Sequence, residues 1–314
     1  MSGYAATLED VRRAHGRIHR FVHRTPVLTC VSIDRIAGRR LFFKCENFQK
    51  VGAFKFRGAC NAILQLPQAA CGRGVVTHSS GNHAQAVALA ASVQGIAAHV
   101  VMPISAAAVK RRAVEEYGAA VYPCEPTLAA RERVAAEVAE RTGATFIPPF
   151  DHPHVIAGQG TAALELLEAV PQLDAIVAPV GGGGLLSGTC IAARGIDPAI
   201  RVFAGEPAGA DDAARSLAAG RLIPQTAPNT IADGLLTSLG EYTWPIIRDH
   251  VAGIITVSDD EIRAAMRLVW ERMKIVIEPS AAVAVAAVLS SQFPRDSPAR
   301  RVGIILSGGN VDLG

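Results

Sequence analysis

This chain of 314 residues contains no long apolar run. No stretch reaches the roughly 20 uninterrupted apolar residues of a membrane-spanning helix, and Met1–Asp10 has no basic region followed by an apolar core. A membrane partner is therefore not expected, and the cytoplasm is the expected location. An excess of one charge is missing too: 31 basic and 28 acidic residues are mixed along the chain for a net charge of +3. With no polybasic surface, nucleic acid is not an expected partner and a small molecule is. The six cysteines, Cys30, Cys45, Cys60, Cys71, Cys124 and Cys190, form no C-x-x-C pair and have no histidine at zinc-finger spacing. They read as reduced core thiols. Lysine is scarce: Lys44, Lys50, Lys55, Lys110 and Lys274 are the only five, and the other basic residues are arginines.

What is present is apolar and glycine-rich. Half the residues are hydrophobic, with abundant alanine, as expected where helices cover both faces of a sheet. From Gly74 to Phe150, β-branched runs alternate with alanine-rich stretches. Strands are predicted at Val75–His78, Ala97–Met102 and Ala119–Tyr122, each followed by a helix, near Asn82–Gln94, Ala106–Tyr117 and Thr127–Arg141. A second series predicts helix Val155–Val170, strand Ala175–Val180, helix Leu185–Arg194, strand Arg201–Gly205 and helix Asp211–Ala219. It closes with helices near Asp259–Met273 and Pro279–Leu289 and the strand Arg301–Leu306. The fold class is α/β: two parallel-sheet lobes with a cleft between them.

Between the strand and the helix of the second series stand four glycines, Gly181 to Gly184. Without Cβ atoms the backbone turns tightly, its N–H groups converge, and the following helix adds its positive end, so the run reads as a phosphate cradle. The alternative is a plain strand-to-helix turn. A dinucleotide fingerprint fails because Leu186 and Ser187 stand where its third glycine belongs, and no Gly-Lys-Ser/Thr follows for a nucleotide P-loop. A compact monophosphate fits better.

Lys55 is flanked by Phe54 and Phe56 and followed by Arg57. Desolvation and a nearby cation would both favour its neutral, nucleophilic form; a snorkelling surface lysine is the alternative. Thr77–Ala84 (THSSGNHA) joins a strand to a helix and aims hydroxyls, an amide and free N–H groups at a carboxylate, unless Ser79 or Asn82 is only an N-cap. The last strand ends in the glycine-rich Ser307–Val311, at a strand end where open α/β sheets bind ligands.

Seven segments in order, Ala53–Gly58 (AFKFRG), Ser79–His83 (SSGNH), Val155–Thr161 (VIAGQGT), Pro179–Gly184 (PVGGGG), Thr230–Gly234 (TIADG), Ile277–Pro279 (IEP) and Leu306–Asn310 (LSGGN), resemble one family. It is the serine/threonine dehydratase and serine racemase family of pyridoxal-phosphate enzymes, of the tryptophan-synthase-β class (fold type II). The resemblance spans nearly the whole chain. It implies that Lys55 forms the Schiff base with pyridoxal phosphate, which lies in the cleft, and that Gly181, Gly182, Gly183, Gly184 and Leu185 bind the phosphate through main-chain N–H groups. Asn82 is implied to contact the ring hydroxyl and Ser307 the ring nitrogen. A hydroxyl in place of a carboxylate leaves that nitrogen nearly neutral and favours elimination over transamination. The substrate carboxylate is expected on Ser79, Ser80, Gly81 and His83, with Lys55 removing the α-proton.

The expected reaction is therefore loss of water from an L-3-hydroxy amino acid of the serine/threonine type, giving a 2-oxo acid and ammonia. Serine racemisation is the alternative, because Ser80 matches the racemase serine on the opposite face of the substrate and Arg131 an arginine that reaches the substrate on closure. Glu206–Asp212 resembles the family's divalent-cation loop, which implies magnesium or calcium on the Glu206 and Asp212 carboxylates and the Ala210 carbonyl. Asp211 or Asp212 as a helix N-cap is the alternative there. Departures from the family pattern are Ala53, Phe56, Val51, Ala84 and Phe150. They keep bulkier substrates such as 3-phenylserine and 3-hydroxyaspartate open. The resemblance further implies a homodimer, a large cofactor-binding domain from 1–70 and 152–314, and a small mobile domain from 71–151.

Overall fold

The computed structural model describes residues 3–106, 108–294 and 300–313, and within them strands form two sheets. The larger sheet contains β1 (Val27–Leu28), β2 (Arg40–Cys45), β7 (Ala175–Pro179), β8 (Arg201–Pro207), β9 (Val251–Val257) and β10 (Arg301–Leu306). Their order across the sheet is β1-β2-β10-β7-β8-β9. All neighbours are parallel except the short edge strand β1, which runs antiparallel to β2. The smaller sheet has the order β5-β4-β3-β6, from β3 (Val75–His78), β4 (Ala98–Pro103), β5 (Ala120–Cys124) and β6 (Thr145–Phe146), and is parallel throughout.

Alternation along β7 explains the layering. Ile176 and Ala178 face one apolar cluster with Ile156, Leu166 and Leu186, while Ala175 and Val177 face a second with Val283, Val285 and Ile304. A strand covered on both faces has no polar side to show, which is why β7 and the helix Pro279–Leu289 read as nearly continuous apolar runs. Pro279 starts that helix, where its missing N–H costs nothing. In the smaller lobe, Val75 and Val100 join the cluster under the helix Asn82–Val93, and Val76 and Val101 pack on Ala135 and Val138 of the helix Leu128–Thr142.

The predicted strands appear within about two residues of their expected places. β2 was not expected from the sequence, and its buried run from Leu41 to Cys45 contains Lys44, 1% exposed. Its ammonium donates to the Glu165 carboxylate and to the Thr25 carbonyl, so a charged residue occupies a core position only because both partners wait there. All six cysteines are unpaired, four of them buried. Among the described residues, no helix is long and apolar enough to cross a membrane. The loops after β3, β7 and β10 leave the carboxyl ends of their strands and meet in one cleft.

Candidate active site

The segment before Lys55 is stitched to the loop after β10. Ala53 and Gly308 form an isolated antiparallel bridge, Phe54 N–H donates to the Ser307 carbonyl at 2.9 Å, and Gly309 N–H donates to the Gly52 carbonyl at 2.9 Å. Lys55 then opens the helix Lys55–Ile63. Two residues on, the fully buried Arg57 anchors that helix, its guanidinium donating to Glu46 and Glu165 on both sides and to Thr161. Such a paired, fully hydrogen-bonded guanidinium is a rigid strut for the residue beside it.

The Lys55 amine donates to the Pro149 carbonyl at 2.7 Å. Burial pushes it down to about 8, opposed by the negative charge of Glu278. Desolvation is thus the cause that the sequence predicted. The second expected cause is not realised: the Arg57 charge is spent on Glu46 and Glu165 rather than aimed at the amine.

The four glycines leave β7 and cap the helix Gly184–Ile196. Gly183 has φ of +88°, and a Cβ there would also lie 2.7 Å from Ile247 Cδ1. A Cβ on Gly182 would clash with Cγ, Cδ1 and Cδ2 of the Phe150 ring. Among the described residues, none of the N–H groups from Gly181 to Leu185 donates to a carbonyl acceptor. Donors that converge without an acceptor, on a backbone with no room for side chains, fit a phosphate group.

The Ser79–His83 loop leads into the helix Asn82–Val93, whose N-cap is Gly81 with no side-chain cap. Neither Ser79 nor Asn82 is spent on capping that helix: Ser79 Oγ accepts from Gly81 N–H at 3.2 Å, and Asn82 bonds to Glu278 and Asn310. His83 is buried, and burial pushes it down to about 3, so its ring is neutral. Its Nε2 lies 3.0 Å from the Ile147 carbonyl, an acceptor, which places the ring proton on Nε2. The His83 ring is therefore held by the backbone of the small lobe, and its main-chain N–H, in the first turn of a helix, is the group left for a carboxylate.

These elements enclose a cavity of about 720 Å³. Lys55, Ser79, Ser80, Gly81, Asn82, His83, Arg131, Gly181 to Gly184, Leu185 and Ser307 all line it. Ser307 is buried, Ser80 exposed. Arg131 reaches the wall, and among the described residues its guanidinium donates to the carbonyl of Thr127, the N-cap of its own helix. The sequence reading assigned no site role to Glu278, His78 and Lys110, which also line the cavity. Burial pushes Glu278 up to about 7, against the donors Asn82 and Asn310. Their sequence signals were slight: Glu278 lies inside IEP, His78 stands beside SSGNH, and Lys110 is one of five lysines.

Glu206, Ala210 and Asp212 lie away from this cavity, on β8, the turn Ala208–Ala210 and the start of the helix Asp212–Ala219. Glu206 accepts from Ala213 and Ala214 N–H, both at 2.8 Å, so it is this carboxylate, rather than Asp211 or Asp212, that caps the helix. Burial pushes Glu206 up to about 8 and Asp212 up to about 6, and Asp211 adds further negative charge. Among the described residues no three His, Cys, Asp or Glu side chains converge as a metal cluster. The pair nonetheless fits a hard cation: among the described residues neither buried carboxylate makes a direct salt bridge, Arg215, which is bonded to Asp211, acts on them only as a nearby charge, and a carbonyl can complete the oxygen set.

Comparison with known proteins agrees with this geometry. A family model described as pyridoxal-phosphate dependent enzyme matches residues 18–308. The serine racemase of Dictyostelium discoideum is 55% identical over 309 residues, 98% of this chain and 95% of that protein. The beta-hydroxyaspartate dehydratase of Paracoccus denitrificans is 49% identical over 310 residues, 99% and 98% of the two chains. The structure of maize serine racemase matches with a TM-score of 0.98 at 51% identity, covering 99% of this chain and 95% of that one. A buried lysine, a glycine-rich loop with free N–H groups and a buried hydroxyl in one cleft fit this cofactor, and the chain belongs to the pyridoxal-phosphate dependent enzymes, in the group that contains the serine racemases and the serine/threonine dehydratases.

Proposed function

We propose that this enzyme racemises serine and, as a second outcome at the same site, eliminates water from serine and related 3-hydroxy amino acids. The observation that carries the reading is that Lys55 and Ser80, two proton-carrying side chains from different elements, open into one cavity. The sequence reading placed elimination first; the identity to serine racemases weighs toward racemisation.

Pyridoxal phosphate, when bound, supplies an electron sink that acidifies the α-proton of an amino acid. Gly181 to Leu185 would hold its phosphate through N–H groups that have no carbonyl acceptor, and Ser307 would offer a hydroxyl to its ring nitrogen. Lys55, poised near neutrality, takes and returns the proton on one side. Ser80 does so from the Ser79–His83 loop, whose N–H groups seat the substrate carboxylate. Asn82 faces the ring hydroxyl and Arg131 the substrate.

Phe150, whose ring covers Gly182 and lines the cavity, supplies an apolar wall that would suit a larger β-substituent on a 3-hydroxy amino acid undergoing dehydration. We also propose that 71–151 moves as a lid on 1–70 with 152–314. Lys110 of the small lobe bonds Asp233 across the cleft at 2.8 Å, a contact that closure would make. A magnesium or calcium ion is proposed on Glu206, Asp212 and the Ala210 carbonyl. The decisive experiment assays L- and D-3-hydroxy amino acids in parallel for inverted enantiomer and for 2-oxo acid. Inversion of serine supports the reading; 2-oxo acid without inversion from any substrate sinks it in favour of a dehydratase.

A further inference from the structure

A row of polar groups runs behind Asn82, and its direction is fixed by an atom that can only accept. Val51, at φ of 56°, turns its carbonyl toward Asn310, whose Nδ2 donates to it at 2.7 Å. A carbonyl cannot donate, so the Asn310 amide must present its nitrogen on that side. The same nitrogen donates its other hydrogen to Asn82 Oδ1 at 2.9 Å. This places the oxygen of Asn82 toward Asn310 and its nitrogen toward Glu278, where it donates to Oε1 at 3.0 Å and Oε2 at 3.1 Å.

We propose that Glu278 is a positioning residue: with Asn310 it locks the Asn82 amide so that Asn82 offers the cofactor's ring hydroxyl oxygen an N–H donor and not a carbonyl acceptor. One hydrogen of the Asn82 amide serves both carboxylate oxygens, and the second is left for the cleft. The proposal rests on the reading that Asn82 faces that hydroxyl. A donor there stabilises the ring oxygen as an anion, the form that keeps the cofactor conjugated with the lysine.

The lock is built and not incidental. Glu278 is 4% exposed, its N–H donates to the Gly308 carbonyl at 3.0 Å, and its Oε2 accepts from Asn310 N–H at 3.1 Å. A Cβ on Gly308 would come within 2.6 Å of Glu278 Oε1, and one on Gly52 within 2.5 Å of Asn310 Oδ1. The left-handed backbone at Val51, unfavourable for a β-branched residue, persists because it aims the carbonyl that starts the row. These residues come from separate segments of the chain, and a hydrogen bond joins each to the next.

The test compares the visible absorption and the cofactor dissociation constant of the wild-type holoenzyme with those of Glu278→Gln, Asn310→Ala, Asn82→Ala and the double variant Asn82→Ala/Glu278→Gln. Glu278→Gln and Asn310→Ala are each expected to weaken cofactor binding roughly tenfold. Both should move the absorption band to shorter wavelength, in the direction Asn82→Ala moves it. In the Asn82→Ala background, Glu278→Gln should add less than about twofold, since its effect passes through the amide. Wild-type absorption and affinity in Glu278→Gln, or its full effect in the double variant, overturns the proposal while leaving Asn82 in its role. An Asn82→Ala protein with an unshifted band overturns the underlying reading instead. If Glu278→Gln does not fold, as judged by circular dichroism of the cofactor-free protein, Asn310→Ala decides, because it leaves the carboxylate in place.

Discussion

The Lys55 amine donates to the carbonyl oxygen of Pro149 at 2.7 Å, joining the start of one helix to a segment 94 residues further along. The contact parks the amine at the mouth of the glycine loop, because Phe150, the next residue, packs against Gly182. With burial pushing Lys55 down to about 8, the cofactor-free protein presents an amine that is partly neutral at physiological pH. Lys55→Ala is expected to abolish turnover and borohydride trapping of the cofactor without loss of fold. Capture of pyridoxal phosphate by the cofactor-free wild type should speed up about fivefold from pH 7 to pH 8, as the neutral fraction rises. A flat profile would show that the amine is not tuned.

Gly182→Ala is expected to cost about 1–3 kcal/mol and most of the cofactor affinity, since the new methyl group and the Phe150 ring claim the same space. Phe150→Ala in that background should recover stability. Thermal melts of the single and double variants check this; equal melting temperatures would remove Phe150 as the obstacle.

Ser80→Ala is expected to lower serine racemisation by roughly 10²-fold or more while elimination from L-serine stays within about tenfold. Parallel loss of both activities would mean that Ser80 seats the substrate and does not carry a proton.

The Glu206 and Asp212 pair is expected to make stability depend on pH and, if the proposed ion binds there, on a divalent cation. Burial raises both folded-state values, to about 8 and about 6. Without a cation, the stabilisation is present below the ordinary carboxylate range and lost as pH rises toward 8. A bound divalent ion takes the place of the protons, so magnesium or calcium should raise the melting temperature of chelator-treated protein more at pH 8 than at pH 5.5. No rise at pH 8 with either ion counts against the site.

The Arg57 network acts with the opposite sign. Burial alone would raise Glu165, but the hydrogen bonds and charges of Arg57 and Lys44 outweigh it and hold the carboxyl below its ordinary value of 4.5. Its stabilisation is therefore present above pH 4.5 and lost as pH falls through the lowered value. Glu165→Ala should destabilise by about 3–5 kcal/mol at pH 7, leaving two buried cations short of a partner. Urea midpoints at pH 7 and pH 3.5 should show the gap narrowing at the lower pH.

The short motifs were readable because their meaning is local. Four glycines need no distant partner to exclude Cβ atoms, and the β-branched runs Val75–His78 and Arg301–Leu306 are strands wherever they pack. The strand Val251–Val257 carries a similar β-branched run that the reading passed over, whereas Arg40–Cys45 was obscured by a lysine whose partner lies 121 residues away.

Residue type and spacing determined the α/β class and picked out the glycine run, Lys55 and the serine-bearing loop, while the cofactor family came from the resemblance of seven ordered motifs to a known one. Tertiary structure alone decided which way Arg57 spends its charge, that Glu206 caps a helix, that Phe150 covers Gly182, and that Glu278 stands behind Asn82. The division has a physical cause: backbone conformation follows from near neighbours, while desolvation and charge pairing depend on groups brought together across up to hundreds of residues of chain.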